Sequence, residues 1–142
     1  NNLCAFGSPM ETSCGIVLVN LGTVLLLQYP QGHWDLPKGH VEENDESKQH
    51  TASRELVEET GIDKFRILEG FEYRTDYSFR RKKSKIFKEV WWFIAETEML
   101  DVKLSQEHRN HIWLEWNHAI EHATHDETKG VLKAAKQFMD SK

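Results

Sequence analysis

The chain has 142 residues, 39% of them hydrophobic and 29% charged, which suits one globular domain with a core of its own and excludes a disordered chain. Its 18 basic and 23 acidic side chains leave a formal charge of −5, which argues against general nucleic-acid affinity and allows at most a local polyanion patch. No apolar run approaches a membrane span, no secretory signal is visible, and two cysteines, Cys4 and Cys14, make no disulfide framework, so a cytoplasmic location away from membranes is expected.

Residues 1–9 lack pattern, and Gly7-Ser8-Pro9-Met10 reads as a cloning remnant or disordered lead before a native start at Met10, with one domain over 10–142. Cys14 to Asn20 is short, apolar and β-branched, so it reads as a strand. Leu21-Gly22 is a turn, and Thr23 to Tyr29 is its hairpin partner, ended by Pro30-Gln31-Gly32. His33 to Glu46 reads as a loop, extended at Asp35-Leu36 because a residue before Pro37 avoids the helical region. Asn44 or Asp45 is placed to cap a helix that runs to about Thr60, with Gly61 at C′ and Ala52 and Leu56 on its buried side. Phe65 to Thr75 and Phe87 to Thr97 read as two strands joined by a basic turn. Val90-Trp91-Trp92-Phe93-Ile94 is dense enough for a strand buried on both faces. His111 to Trp116 is a further strand, Asn117 caps a short helix through Ala123, and Asp126 to Met139 is a final helix with Val131, Ala135 and Phe138 at helical spacing. The fold class is α/β, a sandwich of sheet and helices.

Three carboxylates stand out. Read on a helix, Glu55, Glu58 and Glu59 share one face. Like charges at these spacings cost about 0.2–0.5 kcal/mol per pair. A divalent cation removes that penalty, and carboxylate oxygens suit Mg²⁺ or Mn²⁺, which keep waters for a phosphate substrate.

The run Gly39, six residues, Glu46, seven residues, then Arg54-Glu55-Leu56-Val57-Glu58-Glu59-Thr60-Gly61-Ile62 resembles the Nudix box, G-x5-E-x7-R-E-U-x-E-E-x-G-U with U apolar. Every typed position is filled, but the first gap is one residue longer. Either the loop after Gly39 carries an insertion, or Asp45 replaces the first Glu and the second gap is longer. The insertion is favoured, because loops absorb extra residues and helices do not. The resemblance implies the Nudix fold, a mixed sheet between helices. It also implies Mg²⁺-dependent cleavage of a nucleoside diphosphate linkage by water. Glu55, Glu58, Glu59 and the Gly39 carbonyl would hold metal, Glu55 is the first choice of general base, and Arg54 would orient a carboxylate. Glu46 is read as structural.

Tyr29-Pro30 with His33-Trp34, Leu36-Pro37-Lys38-Gly39-His40-Val41-Glu42, and Leu104-Ser105-Gln106-Glu107-His108-Arg109-Asn110 further resemble asymmetric diadenosine tetraphosphate hydrolases of the animal and archaeal type. That likeness implies ATP and AMP as products. It gives Lys38 and His33 to the polyphosphate, Tyr29 to the adenosine pocket, and Glu107 to metal binding or base catalysis. A second stacking aromatic is expected at Tyr77, or next at Phe79, and a third falls at His125, where imidazole stacks less well than phenol. Arg80-Arg81-Lys82-Lys83-Ser84-Lys85 reads either as a phosphate clamp, with Lys83 and Lys85 reaching the substrate, or as a solvated hairpin tip. His118, His122 and His125 lie at helical spacing but lack partners at a zinc spacing, so no zinc site is expected. The expected partner is a small nucleotide, bound by a monomer. The alternatives are a Nudix pyrophosphatase acting on a triphosphate, ADP-ribose, an RNA 5′ end or an inositol pyrophosphate, and a silent nucleotide- or RNA-binding module.

Overall fold

The computed structural model describes residues 10–142, so the reading of residues 1–9 lies outside the described residues. Strand β1 (Met10–Asn20) turns back on β2 (Thr23–Gln28) through Leu21 and Gly22, whose φ angles of 46° and 83° match the two left-handed positions of a type I′ hairpin. The segment read as a loop after β2 contains two short strands, β3 (Trp34–Asp35) and β4 (Lys38–His40), separated by the buried Leu36 and Pro37. Helix α1 (Lys48–Thr60) follows. It is capped by Ser47, whose hydroxyl accepts from the His50 amide at 3.0 Å, and not by Asn44 or Asp45. Gly61 ends it at φ 72°, as expected for C′.

The strand predicted over 65–75 is broken in two. β5 (Arg66–Ile67) stops before Gly70, which turns the chain at φ 95°, and β6 (Tyr73–Arg81) starts beyond it. β7 (Ser84–Glu96) returns from a hairpin turned at Lys82 (φ 56°), so most of the basic run is strand and not turn. β8 (Asn110–Glu115), α2 (Trp116–His122) and α3 (Asp126–Asp140) complete the chain; α2 has no side-chain cap from Asn117, because its N-cap residue is Glu115.

The sheet is mixed, in the order β3-β2-β1-β7-β5, with β4 on β1, β6 on β7 and β8 on β2. β1 and β7 run parallel over ten paired positions, Met10↔Phe87 to Val19↔Glu96, at its centre. Both carry apolar residues on both faces, which is why their sequences read as continuous apolar runs. On one face Cys14, Ile16, Leu18 and Phe93 pack against Ala52 and Leu56 of α1. On the other, Val17, Val19, Trp92 and Ile94 pack against Val131, Leu132 and Ala135 of α3. The expected α/β layering, one sheet between helices, is what the chain adopts. No helix of the described residues is long and apolar enough to cross a membrane.

Candidate active site

Gly39 sets the floor of the site. β4 lies antiparallel on β1 with Gly39 opposite Cys14, and α1 crosses it so closely that a Cβ at Gly39 would fall 2.0–2.5 Å from the Glu55 carboxyl atoms. Only glycine leaves room for that carboxylate. Glu59, one turn further along α1, is 3% exposed, and its Oε1 accepts from the Lys38 amide at 3.3 Å. Burial, then the neighbouring Glu55, pushes the Glu59 carboxyl up to about 9. Two carboxyl groups in one dry corner are thus held in a state that a cation would relieve.

Arg54 organises the acids. Its Nη1 donates to Glu55 Oε2 at 2.8 Å and Glu58 Oε2 at 3.1 Å, and its Nη2 donates to the His40 carbonyl at 2.9 Å. The other edge, Nε and Nη2, donates to the two Asp45 oxygens at 3.0 and 2.9 Å. Asp45 also accepts from Thr51 Oγ1 and the Glu42 amide, both at 2.8 Å. Those hydrogen bonds, Arg54 foremost, hold its carboxyl well below the usual carboxylate range. Glu46, favoured from the sequence as the first acid of the motif, meets only His50, at 3.7 Å, and its side chain is 87% exposed. The structure therefore corrects that reading: Asp45 takes the place and the extra residue lies after it. An aspartate side chain, one methylene shorter, is set one residue nearer Gly39, and this also explains why it is not free to cap α1.

Replacing Asp45 by Ala is expected to lower folding stability by about 2 kcal/mol, since its hydrogen bonds to a charged group are lost, while Glu46→Ala stays within about 0.5 kcal/mol. Urea unfolding of both variants checks this. Because the Asp45 carboxyl titrates low, its contribution is complete above about pH 4 and fades as the pH falls through its depressed value.

Glu107 arrives from the segment between β7 and β8 and lines the same cavity of about 440 Å³ as Glu55, Glu58, Glu59, Gly39 and Lys38. That segment is pinned to the end of α1, where the Lys103 and Ser105 amides donate to the Thr60 and Glu59 carbonyls at 2.8 and 3.2 Å. The next residue, His108, is buried. Its Nδ1 is 3.0 Å from Ser105 Oγ and its Nε2 is 3.5 Å from Glu59 Oε1. Sequence reasoning does not single it out, because nothing in a loop motif announces a buried ring.

A second cavity of about 270 Å³ adjoins the first, with Lys38 bordering both. Tyr77, Trp92, His33 and His125 line it, so the aromatics predicted from β6 and from the C-terminal segment meet in one place. Phe79 does not line it and packs beside Tyr77 at 6.2 Å. Burial lowers the His33 imidazole from its ordinary value. Tyr29 is placed differently from the expectation. Its ring is stacked on His33 at 4.8 Å and meets His108 edge-on at 4.5 Å, with its hydroxyl donating to the Leu36 carbonyl at 2.9 Å. It borders neither cavity, and supports His33 from the α1 side of the sheet.

The basic hairpin also divides. Tyr77 pairs with Lys88 and Arg80 with Lys85, so alternation puts Lys88 on the Tyr77 face and Lys85 on the opposite one. Lys83 is exposed in the turn region. Neither Lys83 nor Lys85 borders the two cavities; Lys88 borders the acidic one. The missed signal was a lone lysine in the period-2 row Ile86, Lys88, Val90, Trp92. The histidines 118, 122 and 125 do not assemble: His122 packs on Trp34, His125 tilts against His33, and His118 nears Glu115.

The donor set is mostly oxygen, with clustered carboxylates and a glycine beside His40 in the lining, which fits a hard divalent cation. Among the described residues no three such groups are already drawn together at ligating distance, since Arg54 holds Glu55 and Glu58 and Glu59 is turned to Lys38.

The model of the NUDIX domain matches residues 10–135 of this chain. The chain belongs to the Nudix family. The asymmetrical bis(5′-nucleosyl)-tetraphosphatase of Rattus norvegicus is 41% identical over 123 residues, covering 82% of this chain and 80% of the relative. The corresponding protein of Caenorhabditis elegans is 36% identical over 117 residues, covering 81% and 83%. Among solved structures, a C. elegans Ap4A hydrolase in a binary complex superposes with a TM-score of 0.74 at 30% identity, covering 93% of this chain and 99% of that one. The NUDIX domain of Shewanella oneidensis NrtR, complexed with ADP ribose, has the same TM-score at 17% identity, over 93% and 90%, and shows the shared fold only. Nudix hydrolases generally need a divalent metal, and the acidic cavity of this chain is lined by carboxylates.

Proposed function

We propose that this Nudix hydrolase cleaves diadenosine tetraphosphate asymmetrically, to ATP and AMP, by attack of water on phosphorus with Mg²⁺ bound. The observation that carries the reading is the junction of two unlike cavities at Lys38: one acidic and suited to metal and phosphate, the other aromatic and suited to a base. Tyr77 and His125 supply ring faces for the adenine of the nucleotide end, as stacking requires. Lys38, Lys88 and His33 meet the phosphate chain that runs toward the acids. Glu55, Glu58, Glu59, the Gly39 carbonyl and Glu107 would hold Mg²⁺, which would supply charge neutralisation at the phosphates and acidification of water. Glu55 is the preferred general base, oriented by Arg54 and free of steric conflict above Gly39.

Product analysis tests the proposal. With Mg²⁺, diadenosine tetraphosphate is expected to yield equal ATP and AMP and no orthophosphate. Faster turnover of ADP-ribose, a nucleoside triphosphate, a capped RNA or an inositol pyrophosphate would replace this substrate. Binding without hydrolysis across the panel would mark a silent module, a reading that the retained box glutamates oppose.

A further inference from the structure

Among the described residues three buried polar side-chain atoms have no hydrogen-bond partner: Ser13 Oγ, Trp91 Nε1 and His108 Nε2. His108 Nε2 faces Glu59 and belongs to the site already described, and Trp91 lies under the Lys48 ammonium at 3.8 Å. Ser13 is different. It is fully buried in the middle of β1, paired with His40 of β4 and Val90 of β7, and it borders the acidic cavity. A buried hydroxyl without a partner lowers stability, and alanine would fill the position without that penalty. A native chain that keeps such a group invites the question of what it binds.

Strand alternation answers part of it. Ser13 points to the same face as Gly15 and Val17, the face that carries Lys88 and Val90 on the neighbouring strand. Gly15 is the next residue on that face, and a Cβ there would lie 2.8 Å from the Lys38 Cβ, so the stem of Lys38 stands directly beside β1. Lys38 pairs with Gly15 and Lys88 with Glu11, so the two stand diagonally on either side of Ser13, with His40 and Val90 directly opposite it, and both lysines line the same cavity. Burial, then Lys38, lowers the Lys88 ammonium from its ordinary value, as two cations sharing a partly dry space require. A hydroxyl donor and two ammonium groups, with the acids beyond them, form a set that an oxyanion completes.

We propose that Ser13 Oγ is the neutral donor of an oxyanion subsite, shared with Lys38 and Lys88, that holds a non-bridging phosphate oxygen of the substrate between the acidic and aromatic cavities. This rests on the polyphosphate reading of the site. The lysines supply attraction at any angle, whereas the fixed hydroxyl supplies direction, so its contribution is to select one phosphate of the chain.

Ser13→Ala and Ser13→Thr decide the matter by calorimetry with ATP, inorganic tripolyphosphate and adenosine. The alanine variant is expected to bind ATP and tripolyphosphate about tenfold more weakly, the loss of one hydrogen bond to a charged group. Its adenosine affinity and its unliganded melting temperature stay at or above those of the wild type, and the threonine variant regains part of the ATP affinity. Unchanged ATP affinity in Ser13→Ala overturns the subsite. So does an equal loss for ATP and adenosine, which would mark a structural role, and so does a wild-type protein that binds no ATP. A wild-type protein that binds ATP through Ser13 but leaves diadenosine tetraphosphate intact removes the proposed function and leaves the subsite standing.

Discussion

Glu59→Gln is expected to lower kcat about a thousandfold, equivalent to about 4 kcal/mol of transition-state stabilisation, with the fold intact. Glu59 is deeply enclosed for an acid and faces Glu55, Lys38 and His108. Glutamine keeps its shape and can still accept from the Lys38 amide, but it brings no charge for a cation. The stability of the variant should move the other way. In chelator the folded protein retains a proton on Glu59 that the unfolded chain releases above about 4.5. Wild-type stability therefore declines as the pH rises from about 4.5 toward about 9, and Mg²⁺ restores it at the upper end. Glu59→Gln should lose the Glu59 share of that decline and show a weaker rescue, since Glu55, Glu58 and Glu107 remain. Steady-state rates and melting temperatures with EDTA or Mg²⁺ across that range check both halves. A normal rate, or an unchanged response to Mg²⁺, would sink the assignment.

Gly39→Ala is expected to cost about a hundredfold in kcat, because displacing a catalytic group by about 1 Å has that scale of effect. The added methyl would occupy the position of the Glu55 carboxylate, 2.0 Å from its Cδ. Gly39 is an extended β4 residue without a positive φ, so alanine meets no backbone penalty and stability should change little. The flexible carboxylate moves instead, away from the Gly39 carbonyl and out of line with Arg54. Rates measured beside a melting curve test this: full activity would show that Glu55 need not lie over β4.

Much of this site is legible in the amino-acid sequence through the motif. Glutamates at fixed helical spacing, a glycine ahead of them and an arginine among them constrain one another, so spacing alone groups them. What spacing does not carry depends on contacts between distant segments. Whether Asp45 or Glu46 meets Arg54 is a matter of side-chain reach across a loop, and spacing does not decide reach. The capping role passes to Ser47 for the same reason. Lys85 and Lys88 are alike in composition, and only register assigns them to opposite faces. Tyr29 has the chemistry of a stacking platform, but His33 folds back onto it and takes the cavity side. Ser13 and His108 carry no signal, since a lone serine in a strand and a lone histidine in a loop are ordinary in any sequence.

The two amide hydrogens that tie residues 103 and 105 to the last turn of α1 have a consequence for how this scaffold tolerates change. They satisfy carbonyls that a helix terminus leaves open, so the stretch carrying Glu107 doubles as the helix's own terminator. Inserting or deleting residues there would fray the element that bears the glutamates, and altered selectivity would arrive together with lost catalysis. The tip of the β6–β7 hairpin terminates no helix, and its one tie to another strand is the exposed Arg81–Glu11 ion pair among the described residues. Length variation in that ribbon can reshape the nucleotide end while leaving the acids untouched, which makes it the natural place for relatives, or for a designer, to diversify.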